Sequence, residues 1–162
     1  MSERAQELAG RFEQANEEFI GVVERLSDAE WAAECPEERR TVAALSRHIA
    51  FGYGLESRYL RAIASGRPLP LVTRERLNAL NAEHGEQYAH CDKAEVLAML
   101  RREGAAAADF VRGLSDDELA RSGDYVEGLP TWTVDTWIER ILIGHIGMHL
   151  ASIRAAVASP TA

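Results

Sequence analysis

Two cysteines and five prolines in 162 residues leave this chain little to staple or interrupt it. Cys35 and Cys91 lie far apart with no CxxC pairing, so no disulfide framework is expected; they read as two reduced thiols of a cytoplasmic protein. Glycine is also sparse, at 12 residues, while Ala, Leu, Glu and Arg dominate, a balance that favours helices over sheets. No basic block occurs, and the formal net charge is −8. A grip on phosphates needs clustered Lys and Arg, so nucleic-acid partners are excluded from the expectation, and an anionic membrane surface with them. The most apolar stretch, Ile138 to Val157, is interrupted by Glu139, Arg140, His145, His149 and Arg154 and is not expected to span a bilayer. The opening Met1-Ser2-Glu3-Arg4 is polar and runs directly into a helical pattern, so no leader peptide is expected.

What is present suits one domain over residues 1–162: 46% hydrophobic residues for a core and 27% charged residues to cover it. Four long segments carry apolar residues at helical spacing. The first runs Leu8, Phe12, Ala15, Phe19, Val22, Leu26. The second starts at Thr41 as N-cap, continues Val42, Leu45, Ile49, Gly52, Tyr59, Ile63, and stops at Gly66, Pro68 and Pro70. A third opens on Asp92-Lys93-Ala94-Glu95 and carries Val96, Leu100, Ala107, Val111, Leu114. The fourth starts at Thr133, sets Val134, Ile138, Ile141, His145, Met148 and Ser152 on one stripe, and is closed by Pro160. The expected fold is therefore an all-α four-helix bundle. Between its second and third helices lies a long connection, Gly66 to Cys91, with a short extra helix over about Arg74 to Glu86. So long a connection usually serves function or covers something.

A faint internal repeat accompanies these segments. Leu26-Ser27-Asp28-Ala29-Glu30 resembles Leu114-Ser115-Asp116-Asp117-Glu118, both Ser-x-x-Glu capping boxes, and a Thr-Val pair opens the next long helix each time. Capping boxes are common, so chance similarity remains an alternative.

The chemistry concentrates on three histidines. His145 and His149 are four residues apart on a segment expected to be helical, which puts both rings on one face, a turn apart. Histidines on an apolar stripe are also common core residues, and the pair alone leaves both readings open. Gly144 and Gly147 are expected to leave room for a close neighbour or ligand. His48, three residues after Leu45 and four before Gly52, lies on the inward edge of the second helix. One histidine added to an i, i+4 pair gives three nitrogen donors on one side of an ion, with positions left for water or substrate. Without an acidic ligand the set suits Zn²⁺ or Ni²⁺ better than Mg²⁺ or Ca²⁺.

The T-V-x-x-L-x-x-H-I-A stretch ending at Ala50, the H-I-G-M-H-L-A-S-I-R stretch at 145–154 and the W-T-V opening of the fourth helix resemble the DinB/YfiT-like superfamily, over essentially the whole chain. The resemblance implies a four-helix bundle with a metal on His48, His145 and His149. It also implies a low-molecular-weight thiol as co-substrate, since the superfamily includes bacillithiol- and mycothiol-dependent S-transferases and mycothiol-dependent maleylpyruvate isomerases. The isomerases tend to carry Glu where this chain has His145, and an added C-terminal domain where this chain ends at Ala162, which turns the expectation away from them.

Two functional classes follow. One is a metal-dependent enzyme acting on a small-molecule substrate, a thiol S-transferase or related hydrolase. The other is a non-catalytic metal- or small-ligand-binding protein of a stress response. His84 and His90 read as surface residues, with a pocket mouth as the alternative, and Arg47 and Arg140 as a solvated face that would otherwise receive a substrate carboxylate. Trp31, Trp132, Trp137, Tyr53 and Tyr59 read as core or pocket wall. Tyr53 and Leu60 look exterior, and such surplus apolar positions lead to the expectation of a homodimer.

Overall fold

The computed structural model describes residues 2–158. Helix α1 (Glu3–Arg25) starts where Ser2 Oγ accepts the Ala5 N–H, and it buries Leu8, Phe12, Phe19 and Val23 on one stripe. Its chain then turns through the Ser27–Glu30 capping box into the short α2 (Asp28–Ala32). Two-residue strands β1 (Glu34–Cys35) and β2 (Arg40–Thr41) pair antiparallel, with Glu34 opposite Thr41. Thr41 Oγ1 accepts the Ala44 N–H at 3.1 Å and starts α3 (Val42–Ala64).

After the connection and its helix α4 (Arg74–Gln87), the pattern recurs. Asp92 caps α5 (Lys93–Arg112), and the Ser115–Glu118 capping box opens α6 (Asp116–Ala120). Strands β3 (Ser122–Gly123) and β4 (Trp132–Thr133) pair antiparallel, and Thr133 caps α7 (Val134–Trp137). The repeat extends to one backbone bond: Val42 N–H donates to Ala33 in the first half, and Val134 N–H to Arg121 in the second. The sequence pattern gave no sign of the hairpins, which are too short to show alternation.

The long helices α1, α3 and α5 and the last helix close the bundle around one core. Complete burial of Phe12, Phe19 and Leu45 stabilises by about 1.5–3 kcal/mol each. One polar residue ties three helices inside it. Asn16 of α1 accepts from the Tyr53 hydroxyl of α3 at 3.0 Å and donates to the Leu100 carbonyl of α5 at 3.2 Å. Gly104 makes that approach possible, since a Cβ there would lie 2.3 Å from Asn16 Nδ2. Tyr53 and Leu60 are thus buried, not exterior, because α3 is packed on several sides.

The last helix is continuous from Val134 to Ala158 but not α-helical throughout. Residues Ile138–Ile143 form π turns, closed by the Gly144 N–H on the Glu139 carbonyl, before α8 (Gly144–Ala158) resumes. Val134, Ile138, Leu142, Ile146 and Leu150 are all buried. Steps of four drift about 40° each on an ideal α-helix, and the wider π turns absorb part of the drift. Met148, expected on the inward stripe, is accordingly outside and 57% exposed. By length and composition alone this helix could cross a membrane; here it lays Ile138, Leu142, Ile146 and Ile153 into the core. Pro160, the expected stop, lies outside the described residues.

Candidate metal centre

Two helices converge on one point. His48 comes from the second turn of α3, and His145 and His149 from the first turns of α8. Their rings meet edge to face, with His48 5.1 Å from His145 and 5.3 Å from His149 between centroids. One ligand nitrogen from each ring falls in a group no more than 4.8 Å across.

Two carboxylates decide which nitrogens face inward. Glu38, in the turn between β1 and β2, accepts the Nδ1–H of His149 at 2.9 Å. Glu56, two turns along α3 from His48, accepts the Nδ1–H of His145 at 3.2 Å. A neutral ring protonated on Nδ1 presents Nε2 as a bare lone pair. The Nε2 atoms of His145 and His149 are 2.7 Å apart, and that of His48 is 3.3 Å from His145 Nε2. Lone pairs so close repel unless a proton or a cation lies among them. A soft or borderline divalent ion fits this donor set.

The surroundings keep the rings of His48 and His149 neutral. Burial, then the neighbouring His145, pushes the His48 ring down to about 2. Burial and His145 likewise bring His149 to about 4, with Glu38 working against them. Glu38 stays below the usual carboxylate range even though burial opposes it, because His149 and Arg40 stand beside it. Arg40 holds Glu38 at 3.0 Å, and the Ser152 hydroxyl donates to the same carboxylate at 3.1 Å. Gly52 leaves space for Glu56 to fold back along its own helix: a Cβ at 52 would sit 3.3 Å from Glu56 Oε1.

A family model of the DinB superfamily matches residues 11–153. The chain belongs to the DinB superfamily. No curated protein matches it. Among solved structures it is similar to a protein from Streptococcus pneumoniae, at 18% identity and a TM-score of 0.77, covering 99% of this chain and 94% of that one. It is also similar to an uncharacterized protein from Clostridium difficile 630, at 16% identity and a TM-score of 0.78, covering 99% of both chains. These likenesses show a shared fold.

In this DinB-superfamily chain a cavity of about 590 Å³ opens on His48, Glu56 and His145. Two residues read as surface belong to it. His84 is half-buried in its wall, and its Nε2 accepts from Arg47 at 2.9 Å. The Arg47 guanidinium lies 3.3 Å over the Tyr88 ring, so it is a built part of the wall and not a solvated charge. Burial, then Arg47 and Arg40, lowers His84 to about 4. His90 and Arg140 are exposed as expected. Tyr59 lines the cavity, while Trp31, Tyr53 and Trp137 are core. Gly147 does not receive a neighbour, since a Cβ there meets nothing within 4 Å, and Gly144 faces only its own π turn, 3.2 Å from the Glu139 carbonyl.

Both cysteines are free. Cys35 is buried, and burial followed by Glu38 pushes its thiol up to about 11, which makes it a poor nucleophile. Sequence reasoning missed Glu38, Glu56 and Arg40. Glu56 had a faint signal, an acid eight residues beyond His48 on the same helix; Glu38 and Arg40, in and beside a hairpin turn, had none.

Proposed function

We propose that this chain is a metal-dependent enzyme of the thiol S-transferase or related hydrolase kind, with His48, His145 and His149 holding Zn²⁺ or Ni²⁺. The carrying observation is the set of three inward Nε2 atoms, two backed by carboxylates, at the end of a cavity large enough for a substrate. A bound ion supplies one thing: it lowers the pKa of a thiol or water so that a nucleophile is present near neutral pH.

The protein's own residues do the rest. Glu38 and Glu56 keep the Nδ1 protons in place, so His149 and His145 stay oriented and electron-rich. Arg40 holds Glu38 against drift. The cavity walls hold the electrophile beside His48 and His145 and exclude bulk water. In the displacement, a bond forms from sulfur or oxygen to the electrophilic carbon. The bond to the leaving group breaks with its electron pair, and the nucleophile's proton passes to water. With Cys35 buried and protonated, and the Cys91 thiol also raised by burial and donating to the Ala43 carbonyl, the reacting thiol is a separate small molecule.

A cytoplasmic setting is part of the proposal, supported by the two free cysteines. The net charge of −8 supports a small-molecule substrate in preference to nucleic acid. For the last helix, core burial and the His149–Glu38 contact support a bundle role instead of a membrane span. A homodimer is the proposed assembly; Tyr53 and Leu60 no longer support it, and the exposed Met148, outside the cavity lining, takes their place.

The test is elemental analysis of the purified chain together with a screen of electrophiles against several low-molecular-weight thiols and water. One ion per chain with turnover that a chelator abolishes is the expected result. A metal-loaded protein that turns over nothing in the screen would favour the non-catalytic, ligand-binding reading.

A further inference from the structure

Helix α4 contributes little to the core: of its residues only Gly85 is buried. It is held at its two ends. Before it, Val72 bridges to Val126, donating to the Tyr125 carbonyl at 2.7 Å and accepting from the Glu127 N–H at 2.9 Å. At its far end Gly85 packs on Arg40, where a Cβ would lie 2.8 Å from Arg40 Cγ. Beyond it Thr41 donates to the Ala89 carbonyl at 2.8 Å and Trp31 to the Cys91 carbonyl at 2.9 Å. Between these anchors Leu77, Leu80, Asn81 and His84 follow helical spacing, and all four line the cavity.

The face that a bundle helix would press into a core is turned here toward empty volume. Opposite stand Phe51 and Leu55 of α3 and Tyr59, whose ring stacks on Tyr125 at 4.5 Å. Two large apolar residues of the lining are left open to solvent, Phe51 at 48% and Leu80 at 40%. The charged groups near the histidines are already engaged, Arg47 by Tyr88 and His84, and Glu56 by His145. Arg74, Glu83 and Gln87 are exposed, at the rim. The inner surface therefore has much to offer an apolar body and little to offer a sugar or a polyanion.

We propose that the chamber under α4 takes an uncharged molecule with an apolar, flat or branched body, seated between Leu77, Leu80 and the Tyr59–Tyr125 pair with its polar end at His48 and His145. Resting on the function proposed above, this occupant is the electrophilic substrate, and the hydrophilic thiol is not.

The experiment titrates the full chain with N-phenyl-1-naphthylamine, an uncharged fluorophore that brightens in apolar surroundings. Saturable binding to one site per chain is expected. Leu77→Glu and Leu80→Glu should each weaken it about tenfold or more by setting a charge in the apolar chamber. Leu71→Glu, equally apolar at 56% exposure but outside the lining, should leave it unchanged, and circular dichroism should show all three variants folded. Absence of saturable binding, or equal loss in Leu71→Glu, overturns the proposal. Displacement of the probe by millimolar glutathione but not by uncharged aryl esters also overturns it. Two samples separate the two readings: probe bound by metal-free His149→Ala leaves the chamber standing whatever becomes of the metal centre, and an unsubstituted chain that holds its metal but binds no probe sinks only the chamber.

Discussion

Glu38 and His149 are 111 residues apart in the chain and 2.9 Å apart in the fold, carboxylate oxygen on ring Nδ1. That contact aims the second nitrogen of His149 at the other two histidines. Glu38→Ala should therefore keep the bundle and weaken metal binding by about 10–100-fold, the usual cost of losing such a supporting carboxylate. Competition with a chromophoric chelator measures it. An unchanged affinity would mean that Glu38 serves only the hairpin.

Removing a ligand should do more. His149→Ala leaves two neutral nitrogens, which hold a divalent ion poorly, so metal content and turnover should vanish together. Elemental analysis and the activity assay are read on the same sample. Turnover persisting in a metal-free His149→Ala protein would rule out the metal mechanism while leaving the fold untouched.

The metal-free protein should lose stability in mild acid. Ordinary histidine titrates near 6.5, whereas His48 and His149 are held down to about 2 and about 4. Between those values the unfolded chain binds protons that the folded chain does not, so stability rises with pH. It is fully present above about pH 6.5 and declines as pH falls toward 4. Thermal melts of chelator-treated protein from pH 7 to pH 5 should show a falling Tm. A Tm that is flat or rises over that interval would contradict neutral, buried rings.

Two glycine substitutions should move stability in opposite directions. Gly104→Ala drives a methyl to within 2.3 Å of Asn16 Nδ2 and breaks the bonds to Leu100 and Tyr53, at a cost of about 1–3 kcal/mol. Gly10→Ala, on an exposed face of α1 with nothing within 4 Å, should stabilise by about 0.5–1 kcal/mol through helix propensity. Urea denaturation reads both, and Gly104→Ala that is neutral would mean Asn16 is not held in the core.

The four helices, their caps and the three histidines were legible because each leaves a local mark: a period, a side-chain oxygen three residues ahead of a free N–H, a spacing of four. Thr41, Asp92 and Thr133 all cap where such marks lie. The rest depends on contacts that no local pattern carries. Met148 lies outside, not on the inward stripe, because the α-helical period does not hold through residues that form π turns. Tyr53 and Leu60 fall off the single apolar stripe of α3 yet are buried, because that helix is packed on several sides. Arg47 and His84 looked solvated because their partner is a segment 37 residues away whose own pattern is polar. Glu38 became part of the site only when the β1–β2 turn was folded against α8.

The segment that roofs the cavity is also the one that joins the two similar halves of the chain. Between its anchors at Val72 and Gly85 none of its helical residues is buried, so composition there is only weakly tied to the packing of the bundle. Selection acting on this one connection would exchange the range of accepted substrates without having to rebuild the scaffold, so diversity among proteins of this architecture should be greatest there. Grafting the connection from a relative is accordingly the natural first step in redirecting the site toward a new substrate.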